Sequence, residues 1–379
     1  MKNSQDRILT THVGSLPRSK AVTDVVFGHE HGKPVDGAAD VIRHAVDEVV
    51  AKQVAARVDV VSDGEMSKIS YATYIKDRIT GFEGDSERRP PSDLEEFPKF
   101  LERQNSSGGT PSYSRPCCVG DITVKDTGPA EEDIANFATA IDKHSPTEGF
   151  MNAASPGVIA LFQPNKHYSS HEAYLEALAD AMSTEYKAIT DAGLILQLDS
   201  PDLGLGRHML FKDKSVEEYQ QLAGLHVEAL NHALRDIDAS KVRLHVCWGN
   251  YEGPHHHDAP MELVLPIALK ANIGALLFES SNPRHAHEWE VFADADIPDN
   301  MILVPGVIDS TTNFIEHPRL VAQRIERFAH IVGRERVIAG TDCGFSTFAG
   351  FGAVDEDIVY AKLASMAEGA AMASDRLWG

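Results

Sequence analysis

Four side chains stand at the polar ends of short apolar runs: His245 and Cys247 in VRLHVCWGN, Glu279 in ALLFESSN and Cys343 in RVIAGTDCG. Thiolate, imidazole and carboxylate are donors that a borderline divalent metal accepts, and two Cys, one His and one Glu form a set suited to tetrahedral zinc. Residues two apart in a strand share a face, so His245 and Cys247 would present their donors to one centre. Spacing alone leaves a second reading open, because His-x-Cys arises by chance and a buried cysteine often serves as a small apolar residue. The charge of the set says what a bound zinc would do. Two thiolates and a carboxylate bring the shell to about −1, which makes the metal a poor activator of water and disfavours hydrolysis. A substrate thiol entering that shell would lose its proton near neutral pH and stay nucleophilic. The expected chemistry is alkylation of a thiol.

These residues need a scaffold that gathers distant strand ends. Eight short apolar runs end in turn formers: Ile8 to Arg18, Val58 to Met66, Phe150 to Gly157, Leu194 to Asp202, Val242 to Asn250, Ala275 to Asn282, Met301 to Asp309 and Arg336 to Gly344. Between most of them lie segments of helical period, at 38–56, 171–192, 216–237, 261–271 and 319–332, and AEGAAMASDRLWG reads as a closing helix. Strand-helix alternation at this spacing predicts an α/β fold, a (β/α)8 TIM barrel with its active site where the strands end. The second interval is outsized. It holds a Pro-, Ser- and Gly-rich stretch and then PCCVGDITVKD, predicting an insertion at about 85–125 that forms a loop and hairpin over the barrel mouth. The whole of 1–379 is expected to be one barrel domain carrying that insertion.

With 35 Lys and Arg against 57 Asp and Glu, the net charge is −22, which argues against nucleic acid or an anionic membrane surface as partner. No signal-like segment opens the chain and no apolar run is long enough to span a bilayer, so a soluble cytoplasmic protein is expected. Four cysteines in 379 residues make no disulfide framework; Cys117 and Cys118 are expected to be structural thiols of the insertion. A homo-oligomer is compatible with the sequence, which does not specify one.

HVGSLPR, DGEM, HVCWGN, FESSN and GTDCG, in this order from Thr11 to Gly344, resemble the catalytic barrel of cobalamin-independent methionine synthase, in its short single-barrel form. The resemblance implies a zinc S-methyltransferase of methionine biosynthesis, with ligands His245, Cys247, Glu279 and Cys343 and a homocysteine pocket at Gly14, Ser15, Glu65 and Asp199. The residues agree in part, since Glu65 and Asp199 at strand ends suit a cation and Ser15 suits a carboxylate. Arg18 and Arg207 lie just beyond strand ends and could take a carboxylate or sulfonate. The chain departs from the family in two ways. It has no room for a second, folate-binding barrel, and GVIDSTTNF keeps Asp309 but has no histidine shortly after it, where the family's proton donor stands. Asp309 and Thr311 remain as candidate catalytic groups, although a hydroxyl is a far weaker acid than an imidazolium. His317 and the His255–His257 cluster are the alternative proton sources, and Phe162 is a candidate platform for a flat donor. The partners implied are a small thiol and a methyl or alkyl donor. The epoxyalkane:coenzyme M transferases resemble the chain in length and zinc motif, making alkylation of another thiol the alternative. A metal-free decarboxylase barrel and a non-catalytic zinc or methyl accessory protein are weaker readings.

Overall fold

A computed structural model describes residues 1–87, 90–106 and 113–379. Ten strands occur among them: β1 (Leu9–Thr10), β2 (Val60–Ser62), β3 (Phe82–Glu83), β4 (Cys117–Cys118), β5 (Glu148–Ala154), β6 (Ile195–Asp199), β7 (Val242–His245), β8 (Ala275–Phe278), β9 (Ile302–Ile308) and β10 (Ile338–Thr341). Eight of these pair in parallel in the order β1-β10-β9-β8-β7-β6-β5-β2, and a parallel bridge from Thr11 to Val60 closes the ring. This is the (β/α)8 barrel expected; seven of its strands fall inside the runs read from the sequence, and β5 begins two residues before its run, at Glu148.

The helical segments follow local chemistry. Ser170 caps the helix His171–Asp191 by accepting from the Ala173 N–H, and Leu175, Leu178, Met182 and Ile189 make its buried stripe. Ser215 and Glu218 form a reciprocal capping box at the start of Val216–Ala233. The closing helix is Glu356–Trp378. The helices Lys20–Glu30 and Gly128–His144 were not anticipated.

Period-two alternation sorts the residues of β7. Val242, Leu244 and Val246 enter the apolar layer between barrel and helices, while Arg243 and His245 face the interior. Arg243 is fully buried there, donating to Gln197 Oε1, Thr11 Oγ1 and the His12 carbonyl, with its guanidinium 3.6 Å from the Phe150 ring centroid. Burial lowers its pKa to about 9. The interior therefore has a polar floor beneath the site end of the strands.

In the insertion, β3 pairs antiparallel with β4, and the helices Ser92–Glu95 and Pro98–Ser106 follow β3. Residues 88–89 and 107–112 of the anticipated 85–125 segment lie outside the described residues. Ser92 Oγ donates to the His208 carbonyl, and Asp93 Oδ2 accepts from the Tyr251 hydroxyl and the His255 N–H, so the insertion is tied across the barrel mouth. No described helix is long and apolar enough to cross a membrane.

Candidate active site

A cavity of about 470 Å³ opens at the carboxyl ends of the strands. Its floor carries His245, Cys247 and Cys343, each contributing one donor atom, all within 4.8 Å of one another. His245 reaches the floor as the last inward residue of β7, and Cys247 follows on the same side. Cys343 leaves the end of β10 through a turn in which Thr341 Oγ1 donates to its carbonyl.

The fit of this set to a metal rests on unmet valence. His245 Nδ1–H donates to Asp199 Oδ1 at 3.1 Å, which leaves Nε2 with its lone pair exposed; that atom is buried and has no hydrogen-bond partner. A carboxylate on the far ring nitrogen is the arrangement that fixes the tautomer of metal-binding histidines. The sulfurs of Cys247 and Cys343 are 3.5 Å apart, near the about 3.8 Å that two 2.3 Å Zn–S bonds define at the tetrahedral angle. Both cysteines are free, as are Cys117 and Cys118. Without a cation the pair is held protonated. The hydrogen bond to Cys343 and burial push the Cys247 thiol well above its usual range. For Cys343 the same bond favours the thiolate, but burial and nearby Glu279 outweigh it and the thiol is raised.

Glu279, the fourth donor expected, is buried beside this group but outside the 4.8 Å set. Its Oε1 accepts from the Trp248 N–H at 2.9 Å and its Oε2 from Asn282 Nδ2 at 2.7 Å. Asp342 holds that loop by accepting from the N–H groups of Ser280, Ser281 and Asn282.

The substrate residues expected at the amino end of the chain divide. Ser15, Glu65 and Asp199 line the cavity. Glu65 sits at φ 57°, a conformation rare for a side-chain-bearing residue, and its Oε2 is buried without a hydrogen bond. Burial pushes its carboxyl up to about 7, with Lys68 opposing and Asp199 adding to the rise. Asp199 already accepts from His245, Asn152 Nδ2 and Gln197 Nε2. Gly14 contributes through backbone fit: its φ is +137°, and a Cβ would lie 2.1 Å from Asn152 Oδ1. Arg18 is not at the cavity wall. Its buried guanidinium donates to the carbonyls of Glu65 and Ser346 and to Ser346 Oγ, holding the strained turn from behind.

Asp309 and Thr311 are also off the cavity wall. Asp309 accepts from the N–H and hydroxyl groups of both Thr311 and Thr312, closing its own loop. His317 caps the helix Pro318–Val332, accepting from the Arg319 N–H. His255 bonds Asp258, while His256 and His257 bond Glu96 on the surface. Arg207 donates to the Phe211 carbonyl. Phe162 does line the cavity, edge-on to Tyr71, which also approaches Phe348.

Asn152, Thr347, Tyr71 and Tyr251 line the cavity and were missed in the sequence. Asn152 left one signal, a polar residue inside the apolar run of β5. Thr347 left none, because its place follows from the fold of the loop after β10. Asn152 Oδ1 and Thr347 Oγ1 are buried without hydrogen bonds, like Glu65 Oε2 and His245 Nε2. Unsatisfied buried polar atoms are few in folded proteins, and four around one cavity mark a polar ligand's place.

The fold and site thus define a (β/α)8 barrel with a thiol-imidazole centre at the carboxyl ends of its strands. Residues 8–371 match the family described as the cobalamin-independent synthase catalytic domain, and the chain belongs to that family. It is 26% identical over 374 residues to a protein named methionine synthase from Saccharolobus solfataricus, covering 97% of this chain and 95% of that one. A protein of the same name from Sulfurisphaera tokodaii is 25% identical over 371 residues, covering 97% and 93%. Among solved structures, a B12-independent methionine synthase from Shewanella sp. W3-18-1 in complex with selenomethionine superposes with a TM-score of 0.73 at 18% identity, covering 98% of this chain and 99% of that one. A putative vitamin-B12 independent methionine synthase from Listeria monocytogenes gives 0.66 at 18% identity, covering 100% and 99%. At these identities the superpositions establish the fold.

Proposed function

We propose that this protein is a zinc-dependent methyltransferase that methylates the thiol of homocysteine to give methionine. One observation carries the reading: buried polar atoms without hydrogen bonds surround a single cavity, with His245 Nε2 beside two cysteines at one end and Glu65 Oε2, 3.9 Å from the Arg18 guanidinium, among the other walls. The name methionine synthase borne by relatives matched along nearly their whole length supports it.

His245, Cys247 and Cys343 would hold the metal, with Glu279 the fourth candidate donor. Zinc bound there supplies a centre at which a substrate thiol persists as a nucleophilic thiolate at neutral pH. Asp199 keeps the proton on His245 Nδ1, so that Nε2 is the free donor. Glu65 Oε2 and Asn152 Oδ1 are acceptors for an ammonium, and the hydroxyls of Ser15 and Thr347 are donors for a carboxylate. Tyr71, Phe162 and Phe348 form an apolar wall that excludes water from the sulfur and offers faces to a flat donor. In the transfer, a sulfur–methyl bond forms as the donor–methyl bond breaks, and the donor keeps the bonding pair. Asp309 and Thr311, bonded to each other away from the cavity, shape the loop after β9 in this reading and do not supply the acid.

Glu65 also argues for an amino thiol over coenzyme M, whose sulfonate would meet a carboxylate. Zinc-loaded protein given homocysteine and a panel of methyl donors should form methionine, and Cys247→Ser or zinc removal should abolish it. Turnover insensitive to both would discard the mechanism. Selective alkylation of coenzyme M by an epoxide would replace homocysteine with the alternative thiol.

A further inference from the structure

The insertion meets the barrel at a second cluster of metal donors, remote in character from the buried centre. Glu96 follows the short helix Ser92–Glu95, and His256 and His257 lie in the loop after β7, some 160 residues further along the chain. His256 Nε2 donates to Glu96 Oε2 at 3.0 Å and His257 Nε2 to Glu96 Oε1 at 2.5 Å. The two rings face each other with centroids 4.2 Å apart, and the Phe97 ring packs edge-on against His256. One donor atom from each of the three residues fits within 4.8 Å, and all three residues are exposed.

We propose that Glu96, His256 and His257 form a second metal site, which takes a divalent transition ion and clamps the insertion to the loop after β7. Three features carry this. The donors are two imidazoles and a carboxylate, the set that zinc, nickel and copper prefer and that magnesium and calcium do not. Each histidine already turns its Nε2 onto a different oxygen of the one Glu96 carboxylate, so the three donors converge on one point. A divalent ion would take the place of the two N–H···O bonds, each neutral ring then carrying its one proton on Nδ1 in place of Nε2 and giving the Nε2 lone pair to the metal. The remaining coordination positions face solvent, so water completes the shell and no organic ligand is required.

The site sits on a junction that already has fixed geometry. Asp93, three residues before Glu96, accepts from the Tyr251 hydroxyl and the His255 N–H, and Tyr251 and Leu94 both line the cavity. An ion joining Glu96 to His256 and His257 therefore stiffens the wall formed by Leu94 and Tyr251 without touching the buried centre. Its occupancy would set how readily that wall opens for substrate exchange.

The test titrates Zn²⁺ into enzyme already carrying one zinc per chain, by calorimetry and metal analysis. One further equivalent is expected, weakened roughly 100-fold or lost in His256→Ala/His257→Ala and weakened in Glu96→Gln. Hydrogen exchange at the backbone of residues 93–100 should slow with the second equivalent in wild type and not in the double variant. A zinc-edge anomalous peak beside the two Nε2 atoms in soaked crystals gives a check that does not depend on any variant folding. Uptake of the second equivalent unchanged in the double variant, or a soaked crystal with no peak there, would overturn the assignment. Exchange that ignores the ion would overturn the clamp.

Discussion

Glu65 combines a left-handed backbone, full burial and a carboxyl raised to about 7, a costly arrangement that makes sense if a cationic substrate group completes it. Two consequences follow from the sign of that shift. The ligand-free folded state holds the Glu65 proton more tightly than the unfolded chain does. Its stabilising effect is thus complete below the unfolded carboxyl range and is lost as pH rises through about 7. Glu65→Gln should therefore stabilise the ligand-free protein at pH 8, by on the order of 1–3 kcal/mol in urea unfolding. The same substitution should weaken binding of a thiol-free amino acid such as 2-aminobutyrate and remove the rise in its affinity expected between pH 6 and 8, on the order of one unit either side of the Glu65 midpoint. Retained affinity with an unchanged pH profile would take Glu65 out of the ammonium site. Asp199→Asn tests the neighbouring role. Losing the carboxylate that orients His245 should cost about 10–100-fold in zinc affinity, measured by competition with a chelator.

At the scale of elements, the loop after β1 interlocks with β5 and with the loop after β10 through missing side chains. A Cβ on Gly14 would strike Asn152 Oδ1, and one on Gly344 would lie 2.0 Å from Ser15 Oγ. Gly14→Ala should destabilise the protein by about 1–3 kcal/mol, since it adds an unfavourable φ to a steric clash; a loss below about 0.5 kcal/mol would show that the loops adjust freely. Tyr251→Phe removes one tie to Asp93 and should raise KM more than it lowers kcat, because it loosens a wall and leaves the reacting groups untouched. Much of this scale was legible in advance. Barrel strands announced themselves as apolar runs bounded by turn formers, and β7 displayed its inward face by alternation. The convergence of His245, Cys247 and Cys343 followed once eight strand ends were assumed to form a ring. Arg18, Asp309 and Glu279 show where such reading stops. A residue type at a strand end suggests a ligand, but only the fold shows that the Arg18 guanidinium is spent on backbone carbonyls or that Glu279 is held by Trp248 and Asn282. Thr347 and the Tyr251–Asp93 tie depend on loop conformation and on the Pro-, Ser- and Gly-rich stretch of the insertion, which carries no periodicity.

For the whole molecule, charge sets the terms on which substrates arrive. A net charge of −22 repels anionic donors at long range. If the donor is polyanionic, its kcat/KM should rise as salt is raised from low ionic strength, whereas that of a neutral donor should change little. A fall with salt for the polyanion would point to a local basic entry path. Zinc joins this scale as well. A metal held by residues from β7 and β10 links distant parts of the barrel, so its removal should lower the melting temperature, by an amount that grows with the logarithm of free zinc in the loaded sample.

The central claim is that the site takes a substrate thiol as its thiolate, and this can be measured without knowing the methyl donor. Calorimetric titration of homocysteine into zinc-loaded enzyme at about pH 8, above the Glu65 midpoint, in buffers of differing ionisation enthalpy, counts protons released on binding. Release approaching one proton per homocysteine is predicted, with none for 2-aminobutyrate and none after zinc is stripped. Homocysteine binding without proton release, or release that persists in the zinc-free protein, would contradict the account.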